Sequence, residues 1–260
     1  HLGQNFAKAF DLKFQNEEGE MAFAWNTSWG VSTRMVGGLV MTHGDDNGLR
    51  VPPKLAPIEV VIVPIFRKDE ERDRVVGAAH KLRDELQAWT GRGATDRLRV
   101  KVDAREGMKP GAKYYEWELR GVPLRLELGP RDLDQQSVMS ARRDTKEKAP
   151  LPMADLAPQL SKLLETIQAQ MFADAKARRE AATIRGGLTY AQFRELMDGE
   201  GGFVYAGWNG DPAVEAQVKE ETKATIRVIP DAEFRSPIAP TTCLVTGQPA
   251  KHEVLWAKAY

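Results

Sequence analysis

Between Ser28 and Arg34 the chain reads SWGVSTR. A Ser28-Trp29-Gly30 turn exposes backbone donors beside an aromatic wall, an arrangement suited to a small ligand. Arg34 stands just before an apolar, Gly-containing stretch. There it would offer a fixed planar fork to a phosphate or to an adenine face. Plain roles fit the same spacing: Trp29 as core filler, Arg34 as a surface charge. A second group is basic. Arg99, Lys101, Arg105, Lys109, Lys113, Arg125, Arg131, Arg142, Arg143, Lys146 and Lys148 crowd into one region. Asp103, Glu106, Glu116, Glu118, Glu127, Asp132 and Asp144 are interleaved with them, so charge alone favours a solvated, ion-paired face. Alternation over 122–128 puts Arg125 and Glu127 on one face, opposite Leu124 and Leu126. If exposed, an Arg and a Glu side by side suit the donor and acceptor edges of a guanine in a single-stranded loop. His43, Asp45 and Asp46 share a loop of Gly and Asn, which we read as structural.

The elements that must hold these residues are legible in part. Phe6, Phe10, Leu12 and Phe14 alternate, as do Met21, Phe23 and Trp25 after a turn at Glu18-Gly19. Antiparallel strands are expected there. Over 35–42 (MVGGLVMT) a buried helix and a central strand fit equally well. Three prolines in VPPKLAP (51–57) mark a domain boundary. After it, 58–66 reads as a buried strand, and 69–89 as a helix with Val75, Ala79, Leu82, Leu86 and Trp89 on one face. Leu98, Val100 and Val102 form a strand. A short helix starts at Pro110-Gly111, and strands come next at 122–128 and 137–143. That order is an α/β pattern with a mixed sheet. Leu156, Leu160, Leu163, Ile167 and Met171 mark a long helix from about 153 towards 185, ended by Gly186-Gly187. A third unit comes after it, with a helix capped by Thr189, strands near 203–208, 224–230 and 253–256, and a helix over 211–222.

Composition limits the function classes. Hydrophobic residues are 42% and charged residues 28%, as in ordinary globular proteins. The longest uncharged apolar run, 60–66, is too short to cross a bilayer. Lys plus Arg and Asp plus Glu both number 37, which excludes binding nucleic acid through bulk charge but not through a local basic face. A single cysteine, Cys243, excludes an internal disulfide and fits a reducing compartment. The sequence enters mid-pattern at His1, so we expect a longer parent protein.

SWGVSTR with the adjoining GGLVMTHGDDNGLRVPPKLAP resembles the third class II motif and its downstream segment in prolyl-tRNA synthetases of the archaeal and eukaryotic-like type. HLGQNFAKAF resembles their proline-pocket segment. PGAKYYEWELRGVPLRLELGPRDL with ARRDT resembles their anticodon-binding domain, and KEETKATIRVIP with the final AKAY their extra C-terminal domain. The matches run in order along nearly the whole chain.

The resemblance implies 1–57 as the end of a class II antiparallel catalytic sheet, 58–150 as an α/β anticodon-binding domain, 151–186 as a connecting helix and 187–260 as a small α+β domain. It implies ATP-dependent attachment of L-proline to tRNA(Pro) through a prolyl-adenylate. Arg34 would be catalytic. Arg34 and Ser32 would hold ATP, taken with Mg2+ as substrate. His1, Ser28, Trp29 and Gly30 would line the proline pocket. Arg105, Lys113, Arg125, Glu127, Arg131, Arg142 and Arg143 become candidates for the anticodon.

The first two class II motifs are absent here and are expected upstream, with a homodimer interface. A cytoplasmic location and no membrane contact are expected. Many family members hold zinc through four cysteines. Here Asn209, Val214, Cys243 and Thr246 occupy those places, and His252 does not complete a set, so no zinc is expected. Tyr260 is expected to tuck back near the active site. The alternative is a non-catalytic tRNA-binding or regulatory module, disfavoured by the retained SWGVSTR and HLGQNF segments.

Overall fold

A computed structural model describes residues 1–258. Tyr260 therefore lies outside the described residues. The chain divides into two compact units, 1–164 and the residues from 165 on.

The first unit opens with a short helix, α1 (Asn5–Ala9), and a hairpin of β1 (Lys13–Gln15) and β2 (Met21–Phe23). The alternation from Phe6 to Phe14 therefore does not make a strand throughout. Phe6 and Phe10 are also four apart, the helical spacing, and their rings stack 6.4 Å apart. Residues 35–42 resolve to helix within α2 (Arg34–His43), and none of its residues is buried. The expected buried segment is thus an exposed one, with Met35, Val36, Val40 and Met41 open to solvent.

Next comes a five-stranded mixed sheet, in the order β4-β3-β5-β6-β7. Strand β3 (Val60–Pro64) is wholly buried and lies inside the sheet, between β4 and β5. Helix α3 (Asp69–Ala88) starts with Asp69, Glu70 and Glu71 at its positive end. It buries Val75, Ala79, Leu82 and Leu86, the expected face, and leads to β4 (Val100–Val102). Helix α4 (Pro110–Leu119), with Pro110 in its first turn, leads to β5 (Leu124–Leu128). Strands β4 and β5 both run parallel to β3, one on each side. Right-handed crossovers then put α3 and α4 on opposite faces. Val61 and Val63 pack with Trp117 of α4 and Val122. Burying side chains of this size is worth about 1.5–3 kcal/mol each.

After α5 (Pro130–Asp134), β6 (Ser137–Arg142) returns antiparallel to β5, and β7 (Lys148–Pro152) pairs with β6. The spacing of apolar residues predicts 137–143 as the last strand of this sheet, so β7 is an addition. Its PLP sequence gives a weak strand signal, and only alternate residues are partly buried. Helix α6 (Leu156–Ala181) buries Leu156, Leu160, Leu164, Ile167 and Met171. Leu164, not Leu163, sits on the buried stripe.

The second unit holds a sheet ordered β10-β11-β9-β8. Its elements are β8 (Thr183–Arg185), α7 (Tyr190–Asp198), β9 (Phe203–Trp208), α8 (Pro212–Thr222), β10 (Ala224–Val228) and β11 (His252–Lys258). Strand β8 lies within the expected end of the long helix. Thr189 caps α7 in a reciprocal capping box with Gln192, as its sequence suggests. Phe193, Met197, Val204, Val218, Val254 and Trp256 form the core.

Candidate nucleic-acid interface

The parallel strands β3, β4 and β5 give the first unit a carboxyl edge and an amino edge. In open α/β sheets, ligands enter the crevice outside the carboxyl ends of the strands. A cleft of about 270 Å³ lies there, lined by Pro64 at the end of β3 and Phe66 beyond it, Asp69 and Arg72 at the start of α3, Arg105 to Met108 after β4, and Pro110 and Lys113 of α4.

The wall of the cleft is built around Asp103, whose side chain is 1% exposed. Arg105 clasps it with two bonds, Nε at 2.8 Å and Nη2 at 2.7 Å. Trp117 Nε1 donates to it at 2.8 Å, and Lys113 Nζ donates to its backbone carbonyl at 3.0 Å. Burial alone would raise the Asp103 pKa. The hydrogen bonds from Arg105 and Trp117 outweigh that and hold it far below the usual carboxylate range. Burial lowers the pKa of Lys113, against the opposing pull of Asp103. Arg105 also reaches Glu116 at 2.7 Å, yet its side chain stays 44% exposed. Arg72, paired with Glu106, is likewise exposed on the rim. Strand β5 ends at the same edge, where Ile65 N donates to the Leu128 carbonyl at 2.8 Å. Arg131, in the first turn of α5, is exposed just beyond that end.

The other candidates lie elsewhere. Arg125 is not on an open face: its side chain is 8% exposed. It lies 4.0 Å over the Tyr114 ring and donates to Glu118 and Glu127, each at 3.0 Å. Glu127 in turn accepts from Lys148 at 2.9 Å. The expected exposed Arg–Glu pair is therefore a covered ion-pair chain, because α4 packs on the face that alternation left open. Burial, then the Glu127 carboxylate, raises the Tyr114 pKa strongly.

Arg142 and Arg143 sit at the amino edge, because the register pairs Leu124, the first residue of β5, with Arg142. Arg142 is held by Asp144 at 2.7 and 3.0 Å. Arg143 is 3% exposed and clasps Asp45. Of the seven RNA candidates, Arg105, Lys113 and Arg131 share the carboxyl edge. Arg105 and Lys113 line the cleft, together with Phe66, Arg72 and Met108, which the sequence reading missed. Their signal was available: they come just after the ends of β3 and β4 or open the next helix.

The small-ligand candidates gather near the start of the chain. Leu2 N donates to the Asn26 carbonyl at 2.8 Å and Asn26 N to Gly3 at 2.9 Å. This holds the His1 ring 5.5 Å from Trp25. Ser28, Trp29, Gly30 and Ser32 lie in exposed, irregular chain, with Trp29 93% exposed. Trp29 is therefore not filler for the core of this unit. Arg34 is the exposed first residue of α2.

In the second unit, Cys243 is buried and bridges in register to Gly207. Burial opposes ionisation of its thiol, but bonds from the Thr246 hydroxyl and from the N–H groups of Thr246, Val245 and Asn209 bring its pKa below the ordinary value. Asn209, Cys243 and Thr246 are thus together. Among the described residues there is no group of three or more His, Cys, Asp or Glu that could hold a metal. No helix among them is long and apolar enough to cross a membrane.

Two family models match the chain. "Anticodon binding domain" covers 59–163, and "Prolyl-tRNA synthetase, C-terminal" covers 190–260. The chain is 47% identical over 259 residues to a proline–tRNA ligase of Cytophaga hutchinsonii, covering 100% of this chain and 50% of that protein. To one from Chloroflexus aurantiacus it is 45% identical over 263 residues, covering 100% and 52%. To one from Salinibacter ruber it is 46% identical over 260 residues, covering 100% and 51%. The chain spans about half the length of the curated relatives it matches.

Proposed function

We propose, from the premise that the chain belongs with the C-terminal portion of the prolyl-tRNA synthetase family, that it works within an enzyme joining L-proline to tRNA(Pro) at the expense of ATP. The observation that carries this reading is the cleft at the carboxyl edge of the five-stranded sheet. It offers exposed guanidinium groups, Arg72 and Arg105, beside the apolar side chains Phe66 and Met108. Stacking plus cationic edge contacts is how splayed bases of a single-stranded loop are held. Asp103 and Lys113 fix the wall against which Arg105 is aimed.

In this reading residues 1–57 close one side of a class II catalytic sheet. His1, Ser28, Trp29 and Gly30 face proline, and Ser32 and Arg34 face ATP, supplied with Mg2+ as substrate. Arg34 would stabilise charge that develops as pyrophosphate leaves. Its place as the exposed first residue of α2 supports that role, since it leaves the guanidinium open to an anion. The exposed apolar stretch around Trp29 and α2 also suits a segment completed by further catalytic structure and a homodimer. A cytoplasmic setting fits the single, buried cysteine.

In the full-length protein, Arg34→Ala is expected to reduce proline-dependent ATP–pyrophosphate exchange by about 10²–10³-fold, the loss typical of one transition-state donor. Exchange near the wild-type rate would remove Arg34 from the chemistry.

A further inference from the structure

The sequence groups Arg143 with the RNA contacts, yet its guanidinium is spent inside the protein. Nη1 donates to Asp45 Oδ2 at 2.9 Å and Nη2 to Asp45 Oδ1 at 2.6 Å, while Nε donates to the Glu118 carbonyl at 2.8 Å. One buried arginine thus ties three elements: the end of β6, the last turn of α4, and the loop leaving α2.

That loop is built to be held. Gly44 N closes α2 on the Val40 carbonyl at 2.7 Å, and Asp45 and Gly48 exchange two backbone bonds of 2.9 and 3.0 Å. Arg50 Nε donates to the His43 carbonyl at 3.0 Å and lies 3.8 Å from Asp45. Leu49 N then donates to Leu119 and Val51 N to Gly121, at 3.0 and 3.1 Å. The approach is so close that a Cβ at Gly48 would stand 2.6 Å from the Leu119 backbone, and one at Gly121 2.7 Å from the Leu49 backbone. Both glycines also have positive φ, +116° and +75°. Further along, Arg99 holds the proline-rich stretch through the Ala56 and Pro53 carbonyls at 2.7 and 2.8 Å, braced by buried Glu59.

We propose that Arg143 is a positioning residue. Through Asp45 it fixes the exit loop of α2 on the amino edge of the sheet, so that α2 and Arg34 keep one orientation relative to the RNA-binding edge. A tRNA held by its anticodon presents its acceptor end at a set distance, so a slack joint would misplace that end without weakening RNA affinity. This inference rests on the function proposed above. A bidentate pair with a third bond gives the stiffness needed, because it fixes distance and plane together.

The test is a cycle of Asp45→Asn, Arg143→Gln and the double variant in the full-length protein, with Arg143→Lys as the conservative control. The expected result is at least about a tenfold fall in kcat for tRNA prolylation in each single variant, with the double no worse than the poorer single, as for groups that act as a unit. KM for tRNA and tRNA-independent exchange should stay within about twofold. Arg143→Lys should not restore kcat, since an ammonium cannot span Asp45 and the Glu118 carbonyl together.

If Arg143→Gln raises KM for tRNA while Asp45→Asn does not, Arg143 is an RNA contact and the proposal is wrong. Additive losses, or equal falls in exchange and charging, overturn it too. Should Arg143→Gln fail to fold, Asp45→Asn alone decides by the same split between kcat and KM. A wild-type protein that charges no proline would instead defeat the functional reading. Hydrogen exchange at 44–51 would then still report whether the clasp holds the loop, being faster in Asp45→Asn if it does and unchanged if it does not.

Discussion

The two edges of the five-stranded sheet use the same residue types for opposite ends. At the amino edge, Arg143, Arg142 and Arg99 are consumed by Asp45, Asp144 and Glu59. At the carboxyl edge, roughly 15 Å away along five strand residues, Arg72 and Arg105 are paired too, but their side chains stay 45% and 44% exposed. The difference is topological. The chain returns to the amino edge several times, through the 43–57 stretch, the end of α4 and the β6–β7 turn, so carboxylates and carbonyls converge on each guanidinium from several sides. The carboxyl edge receives the starts of α3, α4 and α5, with the start of β6 and the end of β7 to one side, and a cleft lies there. On the proposed function, one sheet would serve both to grip RNA at one end and to hold the catalytic portion at the other.

The sharpest way to break this comparison lies between the edges, at Arg125. Its charge is covered and stacked on Tyr114. Arg125→Met should cost about 3 kcal/mol, because Glu118 loses its partner and Glu127 loses one of its two cations. The urea midpoint of the 260-residue chain measures it. A cost under about 0.5 kcal/mol with a large loss of RNA affinity would mean that Arg125 faces RNA after all.

Arg125 also shows where the sequence stops being informative. Period-2 alternation told which residues share a face of β5, and that was right. It could not tell that α4 covers this face, because the covering depends on crossover handedness and on a helix beginning at Pro110. The same limit applies to Arg142 and Arg143. Their type suggested RNA, but the Leu124–Arg142 register, a contact between distant parts of the chain, put them at the amino edge, away from the cleft. Local signals fared better. The apolar stripe of α3, the buried run of β3 and the Thr189 cap of α7 were readable because each depends on residues three or four apart or on neighbours. The motif around Arg34 was readable as a motif, yet the exposure of Trp29 and α2 was not, since burial reports what surrounds a segment.

Acid separates the edges next. The hydrogen bond from Arg143, against a smaller effect of burial, holds the Asp45 pKa at about 2. That value is below the ordinary one near 4, so the stabilisation is complete above about pH 4 and disappears as pH falls through about 2. With the side chain 28% exposed, the share is about 1–2 kcal/mol after allowing for solvent screening. The stability gap between wild type and Asp45→Asn should therefore close between pH 4 and pH 2. Asp103, whose pKa lies lower still, should keep its share of the carboxyl edge over that interval. A gap that persists unchanged at pH 2 would detach Asp45 from the amino-edge network.

The smallest effect probes the carboxyl edge where it touches the protein least. Arg131 is exposed at the start of α5, so Arg131→Gln should change stability by no more than about 0.5 kcal/mol. A guanidinium free to meet a phosphate matters more to a ligand than to the fold. Binding of a hairpin RNA with a guanine-containing loop should weaken by about 5–10-fold, and the slope of log affinity against log salt should fall by about one, the mark of one lost phosphate contact. Arg142→Gln, at the other edge, should leave both quantities as they were. The contrast between the edges needs this asymmetry, because exposure alone would let any surface arginine attract RNA. Equal losses from Arg131→Gln and Arg142→Gln would mean that RNA is held by diffuse charge over the whole sheet, and the carboxyl-edge cleft would lose its special place.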